Sequence, residues 1–401
     1  MTTQDTRQLP LAGLKVIELG QLIAGPFATK LLGEFGADVI KIEPPGTGDP
    51  LRKWRMIEDG TSLWWHVQTR NKRSVSLDLR TAEGQDLVRR LAADADVLVE
   101  NFRPGTLEKW GLGYKDLSTA NPGLIMVRVS GYGQTGPYRD KPGFGVIGEA
   151  MGGLRYLTGQ PGEPSVRVGV SIGDSLSALY AVIGTLLALQ ERHRSGLGQE
   201  IDVALYESVF AMMESLLPEY DASGQVREPS GSALPGITPS NAYRTRDGDY
   251  VLIAGNGDSI FKRLMTVIGR PELGEDPELA HNDGRTRRAE EIDAAIEAWS
   301  HQHGRDDILA VLDEARVPVG YPFTAADITH DPHYLAREMI QSFTRPDGRP
   351  LKVPGVLPKL SATPGRLGHG GPALGAHTEE VLDELGIDAD TRAKLRDAGI
   401  I

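Results

Sequence analysis

In this 401-residue chain, the tetrapeptide Ile172-Gly173-Asp174-Ser175 precedes a long apolar stretch. Its residue types and spacing suit chemistry. A carboxylate at a Gly-led helix start is open to close approach, and the helix end favours its ionised form. An attacking Asp needs both. The same pattern also describes an ordinary N-cap, whose side chain accepts from an early backbone N–H. Local pattern leaves both readings open.

Other stretches bear on ligands. Gly20-Gln-Leu-Ile-Ala-Gly25 follows one apolar run and precedes another, the place of a phosphate-binding turn. Pro26-Phe27 comes next instead of Lys-Ser or Lys-Thr, so it is no P-loop, and the spacing is not GxGxxG. A plain strand-to-helix turn is the other reading. Arg70, Lys72 and Arg73 with Arg80, and Arg103 with Lys109, lie beside expected strand ends. Open α/β sheets bind ligands there, although charge runs also serve as solvated faces. Glu100-Asn-Phe-Arg-Pro-Gly105 places an amide, an aromatic ring and a cation at a strand terminus, a seat for a nucleotide. His330-Asp-Pro-His333 and His301-Gln-His303 lack the H-E-x-x-H pattern, so no metal is expected. No G-x-S-x-G elbow occurs.

Composition narrows the classes. The absence of cysteine removes disulfides, thiolate catalysis and Cys-based zinc sites. A net charge of −12 and 6% aromatic residues argue against nucleic acid as a partner. A small anion held by local cations stays compatible with that charge. The polar start, Met-Thr-Thr-Gln-Asp-Thr-Arg-Gln, is not a secretory signal. No apolar run approaches the roughly 18 residues of a membrane span. A cytoplasmic protein without a membrane partner is expected.

These residues need elements to position them. Strand signals at Lys15–Leu19, Asp38–Glu43, Ser74–Leu79, Asp96–Glu100, Leu124–Ser130 and Gln199–Ala204 alternate with helical ones. The helices are expected at Pro26–Gly36, Thr81–Ala93, Leu176–Arg194 (buried) and Tyr206–Leu217. This order predicts an α/β fold with a largely parallel sheet covered on both faces. Ser223–Asn241 is rich in Gly, Ser and Pro and reads as a linker or mobile loop. Tyr250–Ala254 and the helices after it suggest a smaller domain, and a final helix is expected near Thr378–Gly386.

Together these stretches resemble the family III CoA-transferases, which include formyl-CoA transferase and the carnitine CoA-transferases. The resemblance is carried by Leu14–Leu19 with Ala24-Gly-Pro26, Leu32–Glu43, Asn71-Lys-Arg-Ser74 and Glu100–Gly105. It continues through Gly131-Tyr-Gly-Gln-Thr-Gly-Pro137, Ser195–Gln199, His330–His333 and Leu374–Thr378. It implies a large Rossmann-like domain from residues 1–222 and 326–401, and a smaller α+β domain with its linker at 223–325. It also implies an interlocked homodimer.

The resemblance makes Asp174 the nucleophile, acting through an aspartyl–acyl anhydride and then an aspartyl-CoA thioester. It assigns CoA to Ala24, Leu77, Arg80, Asn101, Phe102, Arg103 and Lys109, with Lys141 as a further candidate. CoA and acyl-CoA are then substrates, a carboxylic acid is the co-substrate, and no tightly bound cofactor is expected. Formyl-CoA transferase has Gln where Ile23 stands and Arg where Pro44 stands, which implies a different acyl environment and different adenine contacts. Ser230–Gly236 falls where the family has a mobile loop over the Asp. Gly231 and Gly236 would let backbone N–H groups approach the anhydride; a plain linker is the other reading.

The related α-methylacyl-CoA racemases pair the same Asp with a His. Phe144, in Pro142-Gly-Phe-Gly145, stands in its place and cannot exchange protons. A non-catalytic acyl-CoA binder is a second alternative, against which the intact Asp174 argues. Succinyl-CoA is the expected donor. Arg52 and Arg55 are candidates for its second carboxylate, for CoA phosphate, or for plain surface charge.

Overall fold

The computed structural model describes residues 8–345 and 347–401. The chain divides into two compact units. The first comprises residues up to 155 with 167–224 and 333–401; the second comprises 156–166 and 225–332.

The first unit is built on a six-stranded sheet. Its strands are β1 (Lys15–Glu18), β2 (Asp38–Glu43), β3 (Lys72–Ser76), β4 (Val97–Glu100), β5 (Ile125–Ser130) and β6 (Glu200–Ala204). All neighbours pair in parallel, in the order β3-β2-β1-β4-β5-β6. The order reverses between β1 and β4, and a crevice opens beyond the carboxyl ends of strands at such a point. Central strands bury nearly every residue, and for this reason they read as continuous apolar runs. One apolar cluster covers each face, formed around Leu87, Leu91 and Leu98 on one side and Val99, Val127 and Ala181 on the other.

Four helices matter for the site. They are α1 (Ala24–Glu34), α2 (Ala82–Ala92), α3 (Gly145–Met151) and α4 (Ile172–Ser195). The Thr81 side chain caps α2 by accepting from Gly84 N.

Helix α4 departs from the expected buried helix. It packs Ala178, Ala181 and Ala188 inward, and exposes Leu179, Ile183, Leu186 and Leu187. Among the described residues it alone is long and apolar enough to cross a membrane, and its small-residue face rests on β5 and α1. The expected helix at 206–217 is two helices, Leu205–Phe210 and Leu216–Ser223. The helix at Thr378–Glu384 is not final, because Ala389–Asp397 follows it. Asp388 caps that last helix through Thr391 N.

The second unit holds a three-stranded antiparallel sheet of β7 (Ser240–Arg244), β8 (Tyr250–Ala254) and β9 (Val319–Gly320), in the order β9-β8-β7. Helices pack Phe261, Leu264, Ile292 and Ile308 against it.

Candidate active site

The turn after β1 is built from below by buried charge. Lys41 Nζ lies 2.7 Å from Glu18 Oε1, 2.8 Å from Asp49 Oδ2 and 2.9 Å from the Gly20 carbonyl oxygen. Lys72 Nζ donates to Glu18 Oε2 at 2.8 Å and to the Pro26 carbonyl at 2.7 Å. The two ammonium groups hold the Glu18 carboxyl down to about 2, although burial pushes it the other way. Burial lowers Lys72 to about 8. Asp49 accepts from Leu22 N through both carboxylate oxygens, at 3.1 and 3.2 Å. Leu22 sits at φ 63, a left-handed conformation that needs such an anchor. Gln68 Nε2 closes the turn on the Ile23 carbonyl at 2.8 Å.

Asn101, from the turn after β4, locks the two crevice walls together. Its amide oxygen accepts from Gln21 N and its NH2 donates to Gln21 O, both at 2.8 Å. Both ends of the side chain are therefore spent on the turn. Glu100 supports the same corner by accepting from Phe102 N and Arg128 Nε, each at 2.7 Å.

A cavity of about 310 Å³ opens above this corner. Its walls include Ile23, Ala24, Asn101, Phe102, Arg103, Arg139, Lys141, Phe144 and Asp174. Residues separated by more than a hundred positions thus meet in one crevice. Three cations converge on it. Arg139 has only a 3.5 Å approach to Asp140, and Lys141 lies over the Tyr138 ring at 3.6 Å. Such a set suits a polyanion.

Asp174 occupies the first turn of α4. Ser171 is the N-cap and its side chain caps nothing, so Asp174 is not the N-cap either. Its carboxylate faces the backbone of Gly145, where a side-chain methyl would overlap Oδ2 and lie 2.9 Å from Cγ. The helix end does not hold this carboxyl low. Burial raises it to about 6, the charge of Glu149 adds to the rise, and Arg167 opposes it. The result is a carboxylate more basic than usual and still ionised at neutral pH.

Leu77, Arg80 and Lys109 do not line this cavity. Leu77 is buried in the core and donates its N–H to Glu43 O. Arg80 forks onto Asp78, at 2.9 and 2.7 Å. Lys109 is exposed at the end of a short helix, Thr106–Lys109.

The Arg70–Arg73 stretch is neither a ligand site nor a solvated face. Arg70 is buried against Glu34 and the Pro354 carbonyl, and Arg73 pairs with Asp38, Glu380 and Glu384. Asn71 accepts from Gly368 N and donates to Arg366 O, so this segment ties the C-terminal residues to the sheet.

Arg52 is likewise engaged within the protein. It forms a bidentate pair with Glu43, both bonds 2.8 Å, and stacks on Trp65 at 3.7 Å. Arg55 stacks on Trp64 at 4.4 Å, beside a separate apolar cavity of about 1070 Å³.

From residue 225 on, the 223–241 stretch belongs to the second unit and is well tied within it. Gly231 N donates to Gly159 O, Ser232 bonds Asn241, and Asn282 donates to Gly236 O. Gly231 and Gly236 adopt φ 65 and 76, conformations that glycine tolerates best. His330 ends a helix with Nδ1 2.9 Å from the Ala326 carbonyl.

The model of CoA-transferase family III matches residues 11–378. The chain is a family III CoA-transferase. It is 51% identical over 394 residues to the succinyl-CoA–D-citramalate CoA-transferase of Chloroflexus aurantiacus, covering 98% of each chain. It is 37% identical to the succinate–glutarate CoA-transferase of Agrobacterium fabrum, covering 96% of this chain and 98% of the relative. A solved CaiB/BaiF family protein from Brucella suis superposes with a TM-score of 0.82 and 38% identity, over 94% of this chain and 100% of that one. Membership makes the protein an enzyme that uses CoA thioesters as substrates. The transferase fold accounts for the parallel sheet and its crevice. Glu149, Arg139 and Arg167 escaped the sequence reading because no motif marks them.

Proposed function

We propose that this CoA-transferase moves CoA from succinyl-CoA to a second dicarboxylic acid, with Asp174 as the covalent carrier. The observation that carries the reading is the Asp174 carboxylate in the wall of a cavity that also presents Arg103, Arg139 and Lys141. The cations suit the phosphates of CoA, and the family resemblance extends the adenine end towards Leu77, Arg80 and Lys109. The named activities of relatives support the donor, since they pair succinyl-CoA or succinate with citramalate, malate or glutarate.

The Asp174 carboxylate attacks the thioester carbonyl and expels CoA thiolate, leaving an aspartyl–succinyl anhydride. The thiolate attacks the aspartyl carbonyl and releases succinate, leaving an aspartyl-CoA thioester. The acceptor carboxylate then attacks that carbonyl and frees the thiolate, which takes the acceptor acyl group and restores Asp174. No proton is consumed. Covalent relay divides one hard exchange into easier ones.

The racemase alternative lacks a proton-transfer partner. Phe144 stands in the cavity wall where that reading needs an acid–base group. A non-catalytic binder would leave a carboxyl raised to about 6 without use. The exposed apolar face of α4 and the apolar cavity beside it support a homodimer that covers them, with substrates suited to a cytoplasmic enzyme.

Mass spectrometry of the Asp174 peptide tests the mechanism. Incubation with succinyl-CoA followed by hydroxylamine or borohydride should change the mass at Asp174, and Asp174→Ala should abolish the change. An unmodified peptide together with α-proton exchange of a 2-methylacyl-CoA would favour the racemase.

A further inference from the structure

Arg167 lies in the exposed segment that leads into α4. Its side chain is 46% exposed, and its nearest ionic approach is Nε to Glu149 Oε2 at 3.7 Å. That is too long for a hydrogen bond. Among the described residues its terminal nitrogens have no partner, so the planar fork is unspent.

Glu149, on α3, is buried, and its Oε1 has no hydrogen-bond partner among the described residues. A buried carboxylate with one empty oxygen is costly. The Glu149 Cγ lies beside Gly173, 3.3 Å from where a methyl on that residue would stand. Glu149 therefore draws a cation to the turn that carries Asp174.

We propose that Arg167, steadied by Glu149, is the subsite for the far carboxylate of a dicarboxylic acyl group. This rests on the reading of a dicarboxylic donor given above. In the anhydride on Asp174, the free carboxylate of a succinyl group lies two methylenes from the reacting carbonyl. Its cation must flank Asp174, and Arg103, Arg139 and Lys141 are assigned above to the CoA phosphates. Arg52 is consumed by Glu43. A guanidinium offers a carboxylate two parallel donors, which an ammonium cannot.

The test compares donor kcat/KM for succinyl-CoA and butyryl-CoA, with one common acceptor, in the full-length enzyme. Wild type should prefer succinyl-CoA. Arg167→Met, assayed at pH 8 where Asp174 is ionised in both proteins, should lower succinyl-CoA turnover by roughly 10- to 100-fold more than butyryl-CoA turnover, the value of a charge-assisted bond. The butyryl-CoA rate doubles as the folding control, and Arg167→Lys should fall between the two. Arg167→Met that keeps the wild-type preference, or loses both donors equally, would overturn the subsite alone. A wild type that prefers butyryl-CoA would overturn both the subsite and the dicarboxylic donor.

Discussion

Gly145 and Asp174 meet with no side chain between them. The glycine turns its bare Cα to the carboxylate, and a methyl there would overlap Oδ2. The residue that begins α3 thus sets the clearance of the residue in the first turn of α4. Gly145→Ala should displace the carboxylate and lower kcat by about 100-fold, as small misplacements of reacting groups do. Steady-state kinetics with circular dichroism checks this. A variant with wild-type kcat would show that the contact does not position Asp174.

Asp174→Asn should be inactive and more stable. The carboxyl rises from its usual 3.8 to about 6 in the folded chain. Below pH 3.8 neither state carries the charge and the residue costs nothing. The cost grows as pH rises through that interval and is complete above about 6. After discounting for partial exposure, the gain from Asn is about 2 kcal/mol at pH 8 and near zero at pH 3.5. Urea unfolding at both pH values measures it, and a gain independent of pH would refute the assignment. The acid limb of the rate profile should also fall near pH 6.

Glu18→Gln should destabilise the first unit by about 3–5 kcal/mol, because it leaves Lys41 and Lys72 buried with their shared partner gone. In wild type the Glu18 contribution is present above its usual 4.5 and is lost as pH falls towards 2. Chemical denaturation across that range reads both effects. The Gly20–Gly25 turn rests on this network, so acyl-CoA binding should weaken with it.

Arg103→Ala and Lys141→Ala should each raise the KM for acyl-CoA by about 10-fold, with kcat little changed. Arg80→Ala should do less, since Arg80 is already forked onto Asp78. Equal effects from all three would mean that CoA extends over Asp78. Calorimetric titration with CoA alone separates binding from turnover.

Ile183→Glu with Leu187→Glu should convert a dimer to a monomer in multi-angle light scattering. Both residues are exposed on one face of α4, at 50% and 67%. An unchanged mass would move the interface elsewhere.

Much of the first unit can be read from residue order alone. Strand β2 and strand β8 match their expected limits, because alternation and β-branched residues mark them locally. Asp174 and Glu100–Gly105 were also legible, as short motifs at element ends. The partners of charged residues were not. Arg70 and Lys72 read as ligand-binding cations or as a solvated face, yet they are buried against Glu34 on α1 and Glu18 on β1, which only the fold brings to them. The bare face of α4 was hidden for a similar reason. Its apolar residues run all round, so periodicity cannot tell the sheet-facing alanines from the exposed leucines.

The sequence by itself determined the alternation of strands and helices, the family motifs and the residue that could serve as nucleophile. Those follow from local propensity and residue chemistry, which act within a few positions. Only the tertiary structure decided what surrounds Asp174. Gly145 and Glu149 reach it from α3, and burial with the charge of Glu149 raises an ordinary carboxyl to about 6 against the pull of Arg167. Desolvation and Coulomb terms depend on distances through space, and residue order does not carry those distances.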